Sequence, residues 1–128
     1  NVSQSISAQT LTKIQFNLVT FDTNSNYDPT TNYRFTPTVA GYYQISAAVT
    51  PSNGNSTIVS LYKNGSIAYT GSTSGSNWSG AAGSISALMY FNGSTDYVEV
   101  YAYQNSGSTQ TPDTGADYVF SGCLVRAA

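Results

Sequence analysis

The stretch YRFTPTVAGYYQISAAV, residues 33–49, decides the fold of this 128-residue chain. Its second half alternates between polar or small residues and an apolar set, which is Tyr43, Ile45, Ala47 and Val49. A period of two predicts a β-strand with one buried face. Ahead of this strand, Pro37 forbids continued strand pairing and Gly41 permits a backbone turn. The stretch therefore predicts a corner at which the chain crosses from one sheet to another.

Short strands and tight turns continue through the rest of the chain, and helical periodicity is missing. Asn-Gly pairs at 53–54, 64–65 and 92–93 tolerate the positive φ angles that tight hairpins need. The strands predicted between these turns are 13–22, 33–36, 41–50, 57–63, 66–70, 84–91, 96–104 and 117–126, with a first strand near 3–7. Short strands at this spacing predict an all-β sandwich or barrel.

Composition restricts the class of partner. Only 8% of the residues are charged, His is absent and the net charge is −2, so we expect no nucleic-acid partner. No apolar run approaches the ~20 residues that span a bilayer, so we expect no membrane insertion. The length predicts a single domain over residues 1–128. Because the chain does not start with Met, we expect it to be a processed form or the C-terminal piece of a longer chain.

Catalytic residues are scarce. Without His, the chain lacks the base that activates a nucleophilic Ser, and we expect no enzyme and no cofactor. Its acids are few and scattered: Asp22, Asp28, Asp96, Glu99, Asp113 and Asp117. Asp113 and Asp117 flank a glycine in one loop and are weak candidates for calcium, which takes six to eight oxygen ligands. The alternative, and the commoner use of such residues, is hydrogen bonding to their own backbone in a turn.

Aromatic side chains are the candidates for ligand binding. In DYVEVYAY (96–103), the aliphatic set Val98, Val100 and Ala102 should face the core, which turns the tyrosines outward. These tyrosines and the Trp of the Gly/Ser-rich loop offer flat surfaces on which sugar rings stack; they are Trp78, Tyr97, Tyr101 and Tyr103. The alternative is structural, since outward tyrosines also form ordinary cross-strand pairs and a lone Trp covers a core edge.

The single cysteine, Cys123, lies between small and apolar neighbours in FSGCLV (120–125). Its neighbours Gly122, Leu124 and Val125 are small or apolar, and the chain has no His. We therefore expect Cys123 to be a small, buried hydrophobic residue.

The corner at 33–49 resembles the central signature of the C1q/tumour-necrosis-factor-like jelly-roll superfamily. Further matches follow in order at LYKNG (61–65), GSTDYVEV (93–100) and FSGCLV, and the signature residues are Phe16, Asp22, Tyr27, Phe35, Gly41 and Tyr43. The amino-acid sequence of the N-terminal third is most similar to C1q-like domains of bacteriophage fibres and bacterial surface proteins. The resemblance implies an all-β jelly-roll sandwich of two antiparallel sheets.

The resemblance also implies a homotrimer in which the sheet carrying 41–50, 84–91 and 117–126 packs around a threefold axis. The residues expected at this interface are Gln44, Ser46, Phe120 and Leu124. The implied function is a noncatalytic receptor-binding or fibre-tip domain, extracellular or on a virion surface, that recognises a cell-surface receptor or glycan. The alternative is a structural trimerisation cap of a fibre with no ligand of its own.

Overall fold

A computed structural model describes residues 4–50, 56–71, 82–111 and 118–128. Within these ranges the chain forms nine β-strands and no helix, so no membrane-spanning helix is found there. The strands are β1 Thr12–Lys13, β2 Tyr27–Asp28, β3 Arg34–Phe35, β4 Ala40–Val49, β5 Thr57–Lys63, β6 Ser66–Thr70, β7 Gly83–Asn92, β8 Val98–Gln104 and β9 Val119–Ala127.

The strands form two antiparallel sheets. The larger has the order β2-β3-β8-β5-β6, and β1 also pairs with β8. The smaller has the order β7-β4-β9, so β4 is its central strand and β7 and β9 are its edges. The prediction of an all-β sandwich of two antiparallel sheets is confirmed.

The core lies between the two sheets and is made by the inward residues of their long strands. In β4 the apolar set that begins with Tyr43 is buried, and in β8 so is the aliphatic set that begins with Val98. Both predictions of strand facing are confirmed. Aromatic rings close one part of the core, where Tyr43 and Phe91 meet edge to face with ring centroids 5.6 Å apart.

The corner at 33–49 crosses between the sheets as predicted, because Phe35 belongs to the larger sheet and β4 to the smaller. The predicted role of Gly41 is wrong. Gly41 lies inside β4, pairs with both neighbouring strands and does not have a positive φ. A Cβ added there would meet the Arg126 carbonyl oxygen at 2.4 Å. Gly41 is thus required by the close approach of β9.

The N-terminal segment differs most from prediction. The strand expected at 13–22 is reduced to Thr12–Lys13, which pairs with β8. Near 3–7 the described residues form one isolated bridge, between Ile6 and Gln110. β2 was not predicted, because two residues are too short to show a period.

The Asn-Gly turns have different outcomes. Asn64 and Gly65 form the predicted hairpin turn between β5 and β6, with φ angles of 53° and 79°. Asn92 is instead the last residue of β7, and Gly93 begins the connection from the smaller sheet to β8 of the larger sheet, so this prediction of a hairpin is wrong. The pair at 53–54 lies outside the described residues.

Candidate functional site

Two tyrosines pack together on the outer surface of the larger sheet. Tyr101 of β8 and Tyr62 of the adjacent strand β5 have ring centroids 4.2 Å apart and planes inclined at 36°. Ser60 lies directly opposite Tyr101, and Ile58 lies opposite Tyr103 in the same strand pair. We call Tyr62, Tyr101 and Tyr103 the tyrosine surface. All three side chains are partly exposed.

The charges beside the tyrosine surface neutralise each other. The Lys13 ammonium contacts the Glu99 carboxylate with an Nζ–Oε1 distance of 2.5 Å, and Glu99 is only 7% exposed. Partial burial raises the pKa of the Tyr101 hydroxyl above its usual value, and the negative charge of Glu99 raises it further. Tyr101 therefore keeps its proton at neutral pH and can donate a hydrogen bond.

The ring and backbone of Tyr97 contact Arg34 and Asn64. The Arg34 guanidinium lies over its ring, with the guanidinium carbon 4.3 Å from the centroid. Its backbone N–H donates to the Asn64 side-chain oxygen, and its carbonyl accepts from the Asn64 backbone N–H. One face of the Tyr97 ring is therefore already covered by a cation.

The outer surface of the smaller sheet carries exposed apolar side chains at one end. Tyr42 of β4 lies directly opposite Tyr90 of β7, and their rings meet edge to face at 5.5 Å. Leu88 lies two residues before Tyr90 on β7 and on the same face of the strand. Tyr42, Leu88 and Tyr90 are 45%, 52% and 43% exposed, and we call them the aromatic patch.

The other end of this outer surface carries small side chains with hydroxyl groups. The Gln44 amide donates to the Ser86 hydroxyl at 2.7 Å, and the Ser46 and Ser86 hydroxyls are 2.8 Å apart. Beside them lies an open depression of about 370 Å³, lined by Ser46, Ala47, Ala48, Ser84, Ile85, Ser86, Val119 and Ser121. None of these lining residues is charged.

The acids of the described chain stabilise loops. The Asp28 carboxylate accepts hydrogen bonds from the backbone N–H groups of Thr30, Thr31 and Asn32, which hold its pKa well below the usual value. Burial opposes ionisation of Asp22, but backbone N–H donors, Tyr27 first among them, bring its pKa below the usual value. No group of three potential metal ligands occurs among the described residues.

A family model for the C1q domain matches residues 1–125. This chain belongs to the C1q family. C1q domains are generally noncatalytic, generally trimerise and bind ligands, and are typically secreted. No curated protein matches the C1q domain described above.

Among solved structures, a family 35 carbohydrate-binding module from an environmental isolate is similar to this C1q domain. The two are 12% identical with a TM-score of 0.44, and the match covers 89% of this chain and 90% of that one. We draw no functional conclusion from a similarity of this size.

The four residues predicted at the trimer interface of this C1q domain lie on two faces of the smaller sheet. Gln44 and Ser46 are on the outer face. Phe120 is paired with the buried Ala47 and packs inward, where its ring centroid lies 5.7 Å from that of Phe16. Leu124 is paired with the buried Tyr43. The four residues therefore do not share one face, and alternation alone separates the residues of β9 into two sets without showing which set turns inward.

Cys123 belongs to the outer set of β9. It is paired with Gln44 and is exposed, so the prediction of a buried cysteine is wrong. This outer set also contains Val119, Ser121 and Arg126, paired with Ala48, Ser46 and Tyr42.

Three predicted site residues, Trp78, Asp113 and Asp117, lie outside the described residues. Sequence reasoning missed Tyr62 and the aromatic patch. Tyr62 approaches Tyr101 because β5 pairs with β8, although two other strands, β6 and β7, lie between them in the sequence. In β7 both alternating sets contain large apolar residues, so Leu88 and Tyr90 could not be separated from the buried Met89 and Phe91.

Proposed function

We propose that this C1q domain is a noncatalytic, homotrimeric receptor-binding or fibre-tip domain, displayed outside the cell or on a virion, that binds a cell-surface glycan through the tyrosine surface. The pair formed by Tyr62 and Tyr101 carries the proposal. It is a partly exposed aromatic surface on regular strands, which hold their side chains in fixed positions better than loops do.

The chemistry of the tyrosine surface favours a neutral ligand. The C–H faces of a sugar ring pack on aromatic rings, and the hydroxyl of the partly exposed Tyr101 can exchange hydrogen bonds with the ligand. Two charged groups of the described chain beside the tyrosine surface, Lys13 and Glu99, are already matched with each other. A surface of this kind supports binding through stacking and neutral hydrogen bonds, with weak dependence on salt.

Trimerisation would compensate for the weakness of one such site. A single shallow sugar site binds in the millimolar range, or roughly −4 kcal/mol. Three sites on one rigid trimer raise the apparent affinity by about 10² or more where receptors are dense. The exposed apolar side chains on the outer surface of the smaller sheet support self-association, because exposed apolar patches on soluble domains commonly mark interfaces.

Binding to a glycan array tests the proposal. Tyr62→Ala and Tyr101→Ala should each abolish array binding while the trimer survives. The matched control is Tyr69→Ala, since Tyr69 is an exposed tyrosine on the edge strand β6. Equal binding by all three variants and the wild type would place the ligand site elsewhere.

A structural trimerisation cap of a fibre is the second candidate. The observation that favours it is the aromatic patch, which suits contact with another protein chain and needs no small ligand. A stable trimer that binds neither glycans nor the natural target surface would favour the cap over the receptor-binding domain.

A further inference from the structure

An exposed apolar loop leads from β1 to β2. Leu18 is 66% exposed, Val19 is 39% exposed and Phe21 is 80% exposed. We call these three residues the apolar loop. An almost fully exposed Phe beside two exposed aliphatic residues is costly in water, so a partner surface that covers them is favoured.

The apolar loop leaves the core beside β9. Phe16, just before the loop, packs its ring on Tyr118 at 4.8 Å and on Phe120 at 5.7 Å, at the start of that strand. β9 is one edge of the smaller sheet, and β7 is the opposite edge. The apolar loop and the β7 part of the aromatic patch therefore lie toward opposite edges of the same sheet.

We propose that the apolar loop of one protomer packs on the aromatic patch of the next protomer, so that this head-to-tail contact closes the trimer. The inference rests on the homotrimer proposed above and specifies how it is held together. Two different surfaces that fit each other form a heterologous contact, and such contacts generate a ring when the rotation closes.

The chemistry of the two surfaces matches. Neither the apolar loop nor the aromatic patch contains a charged residue. Two cations lie beside the patch. The Lys63 ammonium donates to the Tyr90 carbonyl oxygen at 2.7 Å and lies 2.9 Å from the Asp96 carboxylate, so its charge is matched within the protomer. Arg126 of β9 is exposed and is paired with Tyr42, so the patch has a cation at its β9 side. A whole aromatic side chain buries about 150–250 Å². Phe21 has 80% of its surface left to bury and Tyr42 and Tyr90 have 45% and 43%, so the three would form the apolar centre of a contact.

Sedimentation of matched variants gives the first test. Phe21→Ser should convert trimers to monomers at micromolar concentration. Ile67→Ser should remain trimeric, because it removes an apolar side chain that is also exposed, at 61% against 80% for Phe21, from β6 of the other sheet. Phe21 contributes little to the core, so both variants should keep the wild-type circular dichroism spectrum.

Cysteine cross-linking gives the second test and identifies the two surfaces. In a Cys123→Ser background that keeps Phe21, the double variant Leu18→Cys with Leu88→Cys should form disulfide-linked dimers and trimers on mild oxidation. The single variants Leu18→Cys and Leu88→Cys should stay unlinked, because a head-to-tail contact does not bring like residues together.

The outcomes separate this inference from the proposed trimer. Loss of the trimer in Phe21→Ser together with cross-linking only in the double variant supports the contact. If Phe21→Ser is still trimeric and the double variant forms no cross-links, the proposed contact is wrong. The proposal of a homotrimer is unaffected by that result. Cross-links in either single variant overturn the head-to-tail arrangement. A monomeric wild type at micromolar concentration overturns both proposals.

Discussion

The Asn64 side-chain amide donates a hydrogen bond to the Asp96 carboxylate, with an Nδ2–Oδ1 distance of 2.8 Å. Asn64 belongs to the β5–β6 turn, and Asp96 to the connection between β7 and β8. The Asn64 side-chain oxygen also accepts from the Tyr97 backbone N–H at 3.0 Å. The amide therefore ties together two turns that are about thirty residues apart in the sequence.

Asn64→Asp should destabilise the fold by about 1–3 kcal/mol, because it replaces the donor with a carboxylate that faces Asp96. Urea denaturation measures the change. Asn105→Asp is the control, since it adds the same charge in an exposed loop and should cost much less. Equal stabilities of the two variants would show that the Asn64 contact contributes nothing.

Gly41→Ala should destabilise the fold by about 1–3 kcal/mol, because overpacking forces backbone shifts. The new Cβ would meet the Arg126 carbonyl oxygen at 2.4 Å and the Ala127 Cα at 2.9 Å. Gly107→Ala is the matched control, because a Cβ there has nothing within 4 Å. Thermal unfolding of the two variants should differ clearly, and a neutral Gly41→Ala would mean that β9 is not held against β4 as described.

Phe120→Ala should destabilise the fold by roughly 2–4 kcal/mol, because a packed aromatic side chain is removed from the core edge. The Phe120 ring packs against Phe16 and Tyr27, with centroids at 5.7 and 5.6 Å. Val119→Ala, at the exposed neighbouring position, should cost less than 1 kcal/mol, as surface substitutions usually do. Chemical denaturation of both variants checks this, and the reverse order would mean that Phe120 faces outward.

The fold should lose stability in acid. The pKa values of Asp22, Asp28 and Asp96 are all lowered by hydrogen bonds in the folded state, so these groups stabilise the fold when ionised. That contribution is present above the pKa of an unfolded aspartate, about 3.9, and is lost as the pH falls through the lower folded values.

Melting temperature measured from pH 7 down to pH 2 shows this loss. Asp28→Ala should be less stable than the wild type at neutral pH and should lose less stability on acidification. An identical slope for the wild type and Asp28→Ala would mean that the Asp28 carboxylate does not stabilise its loop.

Cys123 should report whether the outer face of the smaller sheet is covered in the trimer. Its thiol is exposed in the single chain, opposite Gln44. A thiol reagent should label Cys123 slowly in the wild-type trimer and rapidly in the Phe21→Ser variant. Equal labelling rates in the trimer and in urea-unfolded protein would mean that this face stays open to solvent.

The sequence by itself determined the features that depend on near neighbours along the chain. Alternation within β4 and within β8 predicted their buried sets, because successive side chains of a strand point to opposite faces. The hairpin turn at Asn64 and Gly65 was predicted because positive φ is a local property of that pair. The order of the C1q signature predicted the two-sheet sandwich in the same way, since each motif is contained within a short stretch.

Only the tertiary structure decided the features that depend on register between distant strands. Phe120 turns inward and Cys123 outward because β9 pairs with β4 in one of two registers that the alternation of β9 permits equally. Tyr62 approaches Tyr101 because β5 and β8 are neighbours in the larger sheet although β6 and β7 separate them in the sequence. Residue 41 must be a glycine because the end of β9 lies too close to leave room for a side chain. That contact forms only when β9 pairs with β4, so the local sequence does not reveal it.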